Sequence, residues 1–106
     1  MYYGYIKTDS GENNFSLLDA NAQKAAIQKY CLENGLSIDE FIYDDCGPMV
    51  PHDILCLGRL LDKMVEGDVL ICKDASRLSR LNSEQRVIKK ECKRKGISLI
   101  ILSSLK

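Results

Sequence analysis

Residues 69–80 read Val69-Leu70-Ile71-Cys72-Lys73-Asp74-Ala75-Ser76-Arg77-Leu78-Ser79-Arg80. The four apolar residues at the start of this stretch are typical of a short strand that is buried on both faces of a sheet. The polar residues that follow form a loop at the carboxyl end of that strand, where open α/β sheets bind their ligands. Arg77 and Arg80 lie three residues apart in this loop, and planar guanidinium groups suit phosphate oxygens. The stretch therefore predicts a phosphate site at the edge of a parallel sheet.

The composition limits the class of protein. With 106 residues, 45% of them hydrophobic and 28% charged, the chain is long enough for one core and too short for two. We therefore expect a single domain over residues 1–106. The fifteen basic and fifteen acidic residues balance, so the net charge favours neither a nucleic acid nor a membrane as partner. After Asp74, however, nine basic residues outnumber two acidic ones, which makes the C-terminal third basic.

The cysteines and the start of the chain set further limits. The chain has five scattered cysteines, Cys31, Cys46, Cys56, Cys72 and Cys92. Their odd number and the single histidine argue against a zinc site and for reduced thiols in a cytoplasmic protein, mostly in the core, with Cys46 in a loop. A strand-like segment follows Met1 directly, and no apolar run approaches the roughly 18 residues of a membrane span. Neither a signal peptide nor a membrane anchor is expected.

Hydrophobic periodicity and turn residues divide the chain into alternating strands and helices. Strands are predicted at Tyr2–Ile6, Leu36–Tyr43, Val69–Cys72 and Ile97–Leu102, and helices at Asp19–Asn34, Asp53–Val65 and Ser83–Lys95. This alternation predicts an α/β fold of three layers, α/β/α, around a mainly parallel sheet of four or five strands. The polar loop predicted at residues 7–14 ends the first strand and therefore lies at the same edge as the arginine loop.

Five segments form an ordered set of patterns along the chain. They are the opening strand Tyr3–Lys7, the helix segment Gln23–Cys31, the acidic turn Asp44–Gly47, the Gly-Asp strand start Glu66–Leu70 and the arginine loop Lys73–Arg80. In this order and at these spacings they resemble the catalytic domain of the serine recombinases, the resolvase and invertase family. The resemblance implies a resolvase-like fold, DNA as partner, and oligomers with copies of this chain or with a related recombinase. It implies no metal and no cofactor.

The resemblance also implies a reaction and site residues. Family members cleave DNA when a serine hydroxyl attacks a phosphodiester and forms a phosphoserine link, and arginines stabilise the phosphorane-like transition state. Arg77 and Arg80 take the two loop arginine positions, and Gln23 matches a glutamine that helps to shape the site. Ser76, in the arginine loop, is a further candidate for supporting the phosphate.

Three positions depart from the family pattern. Asp9 stands at the serine position, which leaves Ser10 as a displaced candidate nucleophile. Lys7 stands for the first arginine, and lysine keeps the charge without the bidentate fork. His52 stands for the arginine before the second helix, and a neutral histidine brings no positive charge to this position near pH 7. A carboxylate about 4 Å from a phosphate oxygen adds repulsion of about 4 kcal/mol at an effective dielectric of about 20. We therefore expect weak or absent strand exchange.

Other interpretations stay open. Arg77 and Arg80 are, alternatively, surface residues that pair with Asp74 or Glu84, and the charged helix that follows is a solvated face rather than a DNA contact. Residues 1–106 contain neither the dimerisation helix nor the DNA-binding domain of the family. Either they are a domain excised from a longer protein, or the natural protein is short, and the second case favours a non-catalytic protein-interaction module as an alternative function. A small nucleotide binder with a flavodoxin-like sheet is a third class, but the loop at residues 7–14 has only one glycine.

Overall fold

The computed structural model describes residues 1–8, 14–45, 60–78 and 82–104. Within these ranges the strands are β1 (Tyr2–Thr8), β2 (Glu40–Asp45), β3 (Val69–Cys72) and β4 (Ser98–Ile101). The helices are α1 (Asn14–Glu33), a helical segment at residues 60–63, here α2, and α3 (Asn82–Lys95). Short 3₁₀ turns follow β3 at Ala75–Arg77 and β4 at Leu102–Ser104.

The sheet is parallel throughout its described strands. Its order is β2-β1-β3-β4, so that β1 and β3 occupy the centre. Gly4 of β1 pairs with Phe41 on one side and with Ile71 on the other, and Ile71 pairs in turn with Ile100. This confirms the predicted parallel sheet and its four strands.

Helices cover both faces of the sheet. On the α1 face, Ile27 and Cys31 pack with Ile6 and Ile71 in one apolar cluster. The opposite face carries α2 and α3, and its cluster includes Tyr5, Leu61, Met64, Leu70, Ile88 and Cys92. Because consecutive strand residues point to opposite faces, β1 and β3 contribute to both clusters. The predicted three-layer arrangement is confirmed.

β1 and α1 are longer than the sequence predicted. β1 continues through Lys7 and Thr8, because β2 pairs with it as far as Asp45. α1 begins at Asn14 instead of Asp19, since residues 14–18 contain neither glycine nor proline to interrupt the helix. The predicted loop at residues 7–14 is therefore wrong at both ends, and residues 9–13 lie outside the described part of the chain.

The second strand is displaced from its predicted position. β2 spans Glu40–Asp45 rather than Leu36–Tyr43. α1 ends at Glu33, and Gly35, whose φ is 68°, follows as the residue that stops the helix. The Leu36 N–H then donates to the Cys31 carbonyl oxygen at 2.8 Å, which is the six-to-one bond of a Schellman motif. The apolar character of Leu36 therefore serves the helix cap and the α1-face core, and not a strand.

The remaining elements match the prediction more closely. β3 has the predicted bounds, α3 begins one residue earlier than predicted, and β4 is one residue shorter at each end. The helix predicted at Asp53–Val65 is helical at residues 60–63 but not at Met64 and Val65, and residues 53–59 lie outside the described ranges.

The described cysteines are buried free thiols. Cys31, Cys72 and Cys92 lie in the core as predicted, and Cys46 and Cys56 are not among the described residues. Burial raises the pKa of the Cys72 thiol to about 12, so this thiol stays protonated and unreactive at neutral pH. Within the described ranges, no helix is long and apolar enough to cross a membrane, and no cluster of histidine, cysteine and acidic residues is arranged to hold a metal ion.

Candidate functional site

The candidate site lies where β1 extends beyond the end of β3. β3 ends at Cys72, which pairs with Tyr5, whereas β1 continues to Thr8. After β3 the chain turns into the short 3₁₀ turn that ends at Arg77. This turn brings Arg77 back to the end of β1, where its Nη1 donates to the Lys7 carbonyl oxygen at 3.2 Å. The arginine loop and the first strand therefore meet at the carboxyl edge of the sheet.

Gln23, on α1, pairs with the backbone of Lys7. Its Oε1 accepts from the Lys7 N–H at 3.0 Å, and its Nε2 donates to the Lys7 carbonyl oxygen at 2.8 Å. A neighbouring strand supplies the same two kinds of bond, and β3 has already ended at this level. Gln23 is fully buried and Lys7 is only 4% exposed. The Lys7 carbonyl thus accepts from Gln23 and Arg77 together.

Asp74 organises the arginine loop. Its carboxylate accepts a hydrogen bond from the Ser76 hydroxyl and lies 3.6 Å from the Arg77 Nε. Its backbone carbonyl accepts from the Arg77 N–H at 3.1 Å, which closes the 3₁₀ turn. Leu78, which is fully buried, fixes the end of the turn in the core. The Arg77 side chain, 21% exposed, therefore contacts both Asp74 and the end of β1.

Several of the predicted site residues are described. Those that lie together are Lys7, Gln23 and Arg77. Lys7, expected in a loop, is instead a buried residue of β1, because β2 and Gln23 pair with its backbone. Ser76 is exposed, and its hydroxyl bonds to Asp74. Four predicted residues lie outside the described ranges and stay predictions: Asp9, Ser10, His52 and Arg80.

The acceptor at the centre of the site is a backbone group that the sequence argument did not identify. Gln23 and Arg77 were predicted from their places in a motif, but their meeting at the Lys7 carbonyl was not. The signal for it is the unequal length of the two central strands, seven residues in β1 and four in β3. On the side of β1 where β3 has ended, the peptide groups need another partner, and a buried glutamine can supply it.

The charges of this cluster favour an anionic ligand. Arg77 contributes a guanidinium and Asp74 a carboxylate, and the buried Lys7 is a second basic residue at the end of β1. Charge-assisted hydrogen bonds from a guanidinium to phosphate are short and strong. The Asp74 carboxylate already lies near the guanidinium, so a phosphate at Arg77 competes with it. The ion pair that was one alternative interpretation of Arg77 is therefore present, and it does not exclude phosphate binding.

Comparison with known protein families supports the resemblance that the sequence motifs indicated. The family model described as "Resolvase, N terminal domain" matches residues 3–106, which include both strand ends and the arginine loop. No curated protein matches the sequence.

Three solved structures have a similar fold at low sequence identity. The C-terminal catalytic domain of ISC1926 TnpA, an IS607-like serine recombinase, has a TM-score of 0.69 and 18% identity, over 95% of this chain and 69% of that chain. The N-terminal catalytic domain of TP901-1 integrase has a TM-score of 0.70 and 16% identity, over 96% and 76%. The C-terminal catalytic domain of IS1535 TnpA, also an IS607-like serine recombinase, has 0.70 and 14%, over 96% and 70%. At these identities the similarity is one of fold.

Proposed function

The chain belongs to the family of resolvase N-terminal domains, and we propose that the carboxyl edge of its sheet binds a DNA phosphate but supports little or no strand exchange. In sequence and fold it is a serine-recombinase-like catalytic domain. The observation that carries the proposal is the position of the Arg77 guanidinium at the end of β1, where its Nη1 lies 3.2 Å from the Lys7 carbonyl oxygen. The proposed assembly is an oligomer with further copies of the chain or with a related recombinase.

The proposed reaction transfers a phosphoryl group between oxygen atoms. A serine hydroxyl loses its proton and its oxygen bonds to phosphorus, while the bond from phosphorus to one deoxyribose oxygen breaks and that oxygen gains a proton. Negative charge grows on the phosphoryl oxygens, where positively charged donors stabilise it. In this chain Arg77 and Arg80 are the proposed donors and Ser10 is the proposed, displaced nucleophile.

Three residues argue for impaired catalysis. Asp9 brings a negative charge to the position of the nucleophile, where it repels the phosphate. Lys7 has no guanidinium fork, and its backbone is held within β1. His52 replaces a permanent charge with a titratable one. Loss of one good transition-state donor costs roughly 10² to 10³ in rate, so these changes together leave binding as the main proposed activity.

Covalent trapping tests the catalytic part of the proposal. The wild-type chain is incubated with duplex DNA that carries a nick or a bridging phosphorothioate at the scissile bond, and covalent protein–DNA adducts are counted by denaturing gel. We expect no adduct above background. The matched variants are Ser10→Ala and Ser98→Ala, since Ser98 is exposed at the start of β4, at the opposite edge of the sheet. An adduct that disappears only in Ser10→Ala would show an active nucleophile and overturn this part.

A further inference from the structure

We propose that Gln23 is a positioning residue that fixes the location of the Arg77 guanidinium through the Lys7 carbonyl, an inference that rests on the proposed phosphate site. Gln23 contacts the backbone of Lys7 at both ends of its amide, at 3.0 and 2.8 Å. Arg77 contacts the same carbonyl oxygen from the arginine loop at 3.2 Å. One backbone oxygen therefore connects α1, the end of β1 and the loop after β3.

The chemistry of this position requires a primary amide. The Lys7 peptide presents one donor and one acceptor, and the glutamine side chain offers an acceptor and donors in one plane. An apolar side chain of similar length fills the same buried volume but forms neither bond. Gln23 is completely buried, so loss of its bonds is not compensated by bulk water.

The geometry explains why the effect reaches Arg77. Two bonds to Gln23 hold the plane of the Lys7 peptide, and they are shorter than the bond from Arg77 to the same carbonyl. The carbonyl is therefore a fixed acceptor on which the guanidinium docks. When the Lys7 peptide plane is no longer held, Arg77 has no fixed acceptor at the end of β1, while Asp74, 3.6 Å from its Nε, still attracts it. The phosphate affinity of Arg77 then falls, although Gln23 itself does not need to touch the ligand.

The test compares Gln23→Met with Ile27→Val in the 106-residue chain. Methionine approximates the length of glutamine without its hydrogen bonds, and Ile27 is a fully buried residue one turn further along α1. Nuclear magnetic resonance follows the Arg77 Nε signal and the dissociation constant for inorganic phosphate, at a temperature where all variants are folded. We expect Gln23→Met to shift the Arg77 signal and to weaken phosphate binding about three- to tenfold, as for coupled neighbours. Ile27→Val changes neither.

The same substitution in a protein that also carries Arg77→Ala separates a positioning role of Gln23 from general destabilisation. If Gln23 acts through Arg77, Gln23→Met has no further effect on phosphate affinity once Arg77→Ala is present. An equal effect with and without Arg77 overturns the inference, as does an effect of Ile27→Val equal to that of Gln23→Met.

The same experiment separates this inference from the proposed function. If the wild-type chain binds no phosphate, the proposed site fails, and the Arg77 signal alone then decides: a shift in Gln23→Met supports positioning, and an unchanged signal overturns it.

If Gln23→Met does not fold, proton exchange in the wild-type chain decides. The Arg77 guanidinium protons should exchange with water at least about tenfold more slowly than those of exposed Arg94. Equal exchange rates overturn the inference.

Discussion

The ion pair between Arg77 and Asp74 sets the properties of the site at the scale of single residues. The guanidinium is divided between a carboxylate 3.6 Å from its Nε and a backbone carbonyl 3.2 Å from its Nη1. The carbonyl orients the arginine without neutralising it, whereas the carboxylate cancels part of its charge. A phosphate at the proposed site would therefore have to displace Asp74 or share Arg77 with it, and the affinity of the proposed site would depend on this competition.

Replacing Asp74 with asparagine should strengthen phosphate binding. Partly exposed ion pairs contribute about 0–1 kcal/mol, so Asp74→Asn is expected to tighten the dissociation constant for inorganic phosphate by up to about fivefold. The matched control is Glu91→Gln, because Glu91 also pairs with an arginine three residues later, on α3. Isothermal titration measures both. Weaker binding in Asp74→Asn than in Glu91→Gln would mean that Asp74 supports the site instead of competing for it.

The sequence allowed some of these residues to be predicted and not others. Arg77 and Gln23 could be predicted as site residues because each belongs to a local sequence motif. The Lys7 carbonyl was not, because its role depends on where β3 stops relative to β1, which is a property of two strands far apart in the chain. Sequence periodicity locates strands but does not determine how far one extends past another.

Helix ends determine the main differences between prediction and structure at the scale of elements. The segment after α1 looked like a strand because it is apolar, but Gly35 ends the helix with a positive φ and Leu36 caps it. α1 ends at Glu33, one residue before the predicted Asn34, and β2 begins four residues later than predicted, at Glu40. Apolar residues in a cap and in a strand have the same local pattern, so only the packing distinguishes them.

The left-handed conformation of Gly35 gives a prediction for this cap. Gly35→Ala should lower the free energy of unfolding by about 1–2 kcal/mol, because a Cβ is disfavoured at φ of 68°. No atom lies within 4 Å of the added Cβ, so the loss comes from the backbone alone. Gly35→Asn is the control, since asparagine tolerates this conformation better. Urea unfolding measures the three proteins, and equal stability of wild type and Gly35→Ala would refute the cap.

At the scale of the whole molecule, the proposed phosphate site and the contacts that hold the chain start lie at opposite edges of the sheet. The carboxyl edge carries Lys7 and Arg77, while the amino edge is fastened by Asp68. The Asp68 carboxylate accepts from the Met1 ammonium at 2.8 Å and from the Val65 N–H at 2.9 Å. The alternation of strands and helices was sufficient to predict the layers and the parallel sheet. This fastening of the chain start was not predictable, because it joins residues 67 positions apart.

The contacts of the Asp68 carboxylate at the amino edge should make the stability of the fold depend on pH. Bonds from the Met1 ammonium and the Val65 N–H lower the pKa of Asp68. The stabilisation is therefore present above the unfolded pKa of about 3.9 and is lost as pH falls through the lower folded value. Asp68→Asn should reduce the loss of stability between neutral and acidic pH, whereas Asp62→Asn, at an exposed position, should not. Urea midpoints measured across this pH range test this, and identical pH profiles for wild type and Asp68→Asn would contradict it.

Salt-dependent binding to duplex DNA is the sharpest test of the proposed phosphate site at Arg77. Fluorescence anisotropy is recorded for wild type, Arg77→Ala and Arg94→Ala at several salt concentrations, with Arg94 as an exposed arginine of α3. A phosphate site at Arg77 predicts that wild-type affinity falls steeply with salt, and that only Arg77→Ala weakens binding and lowers the slope of log K against log salt by about one. Absence of salt-dependent binding by the wild type, or equal losses in the two variants, would contradict a phosphate site at Arg77 and favour a protein-binding module.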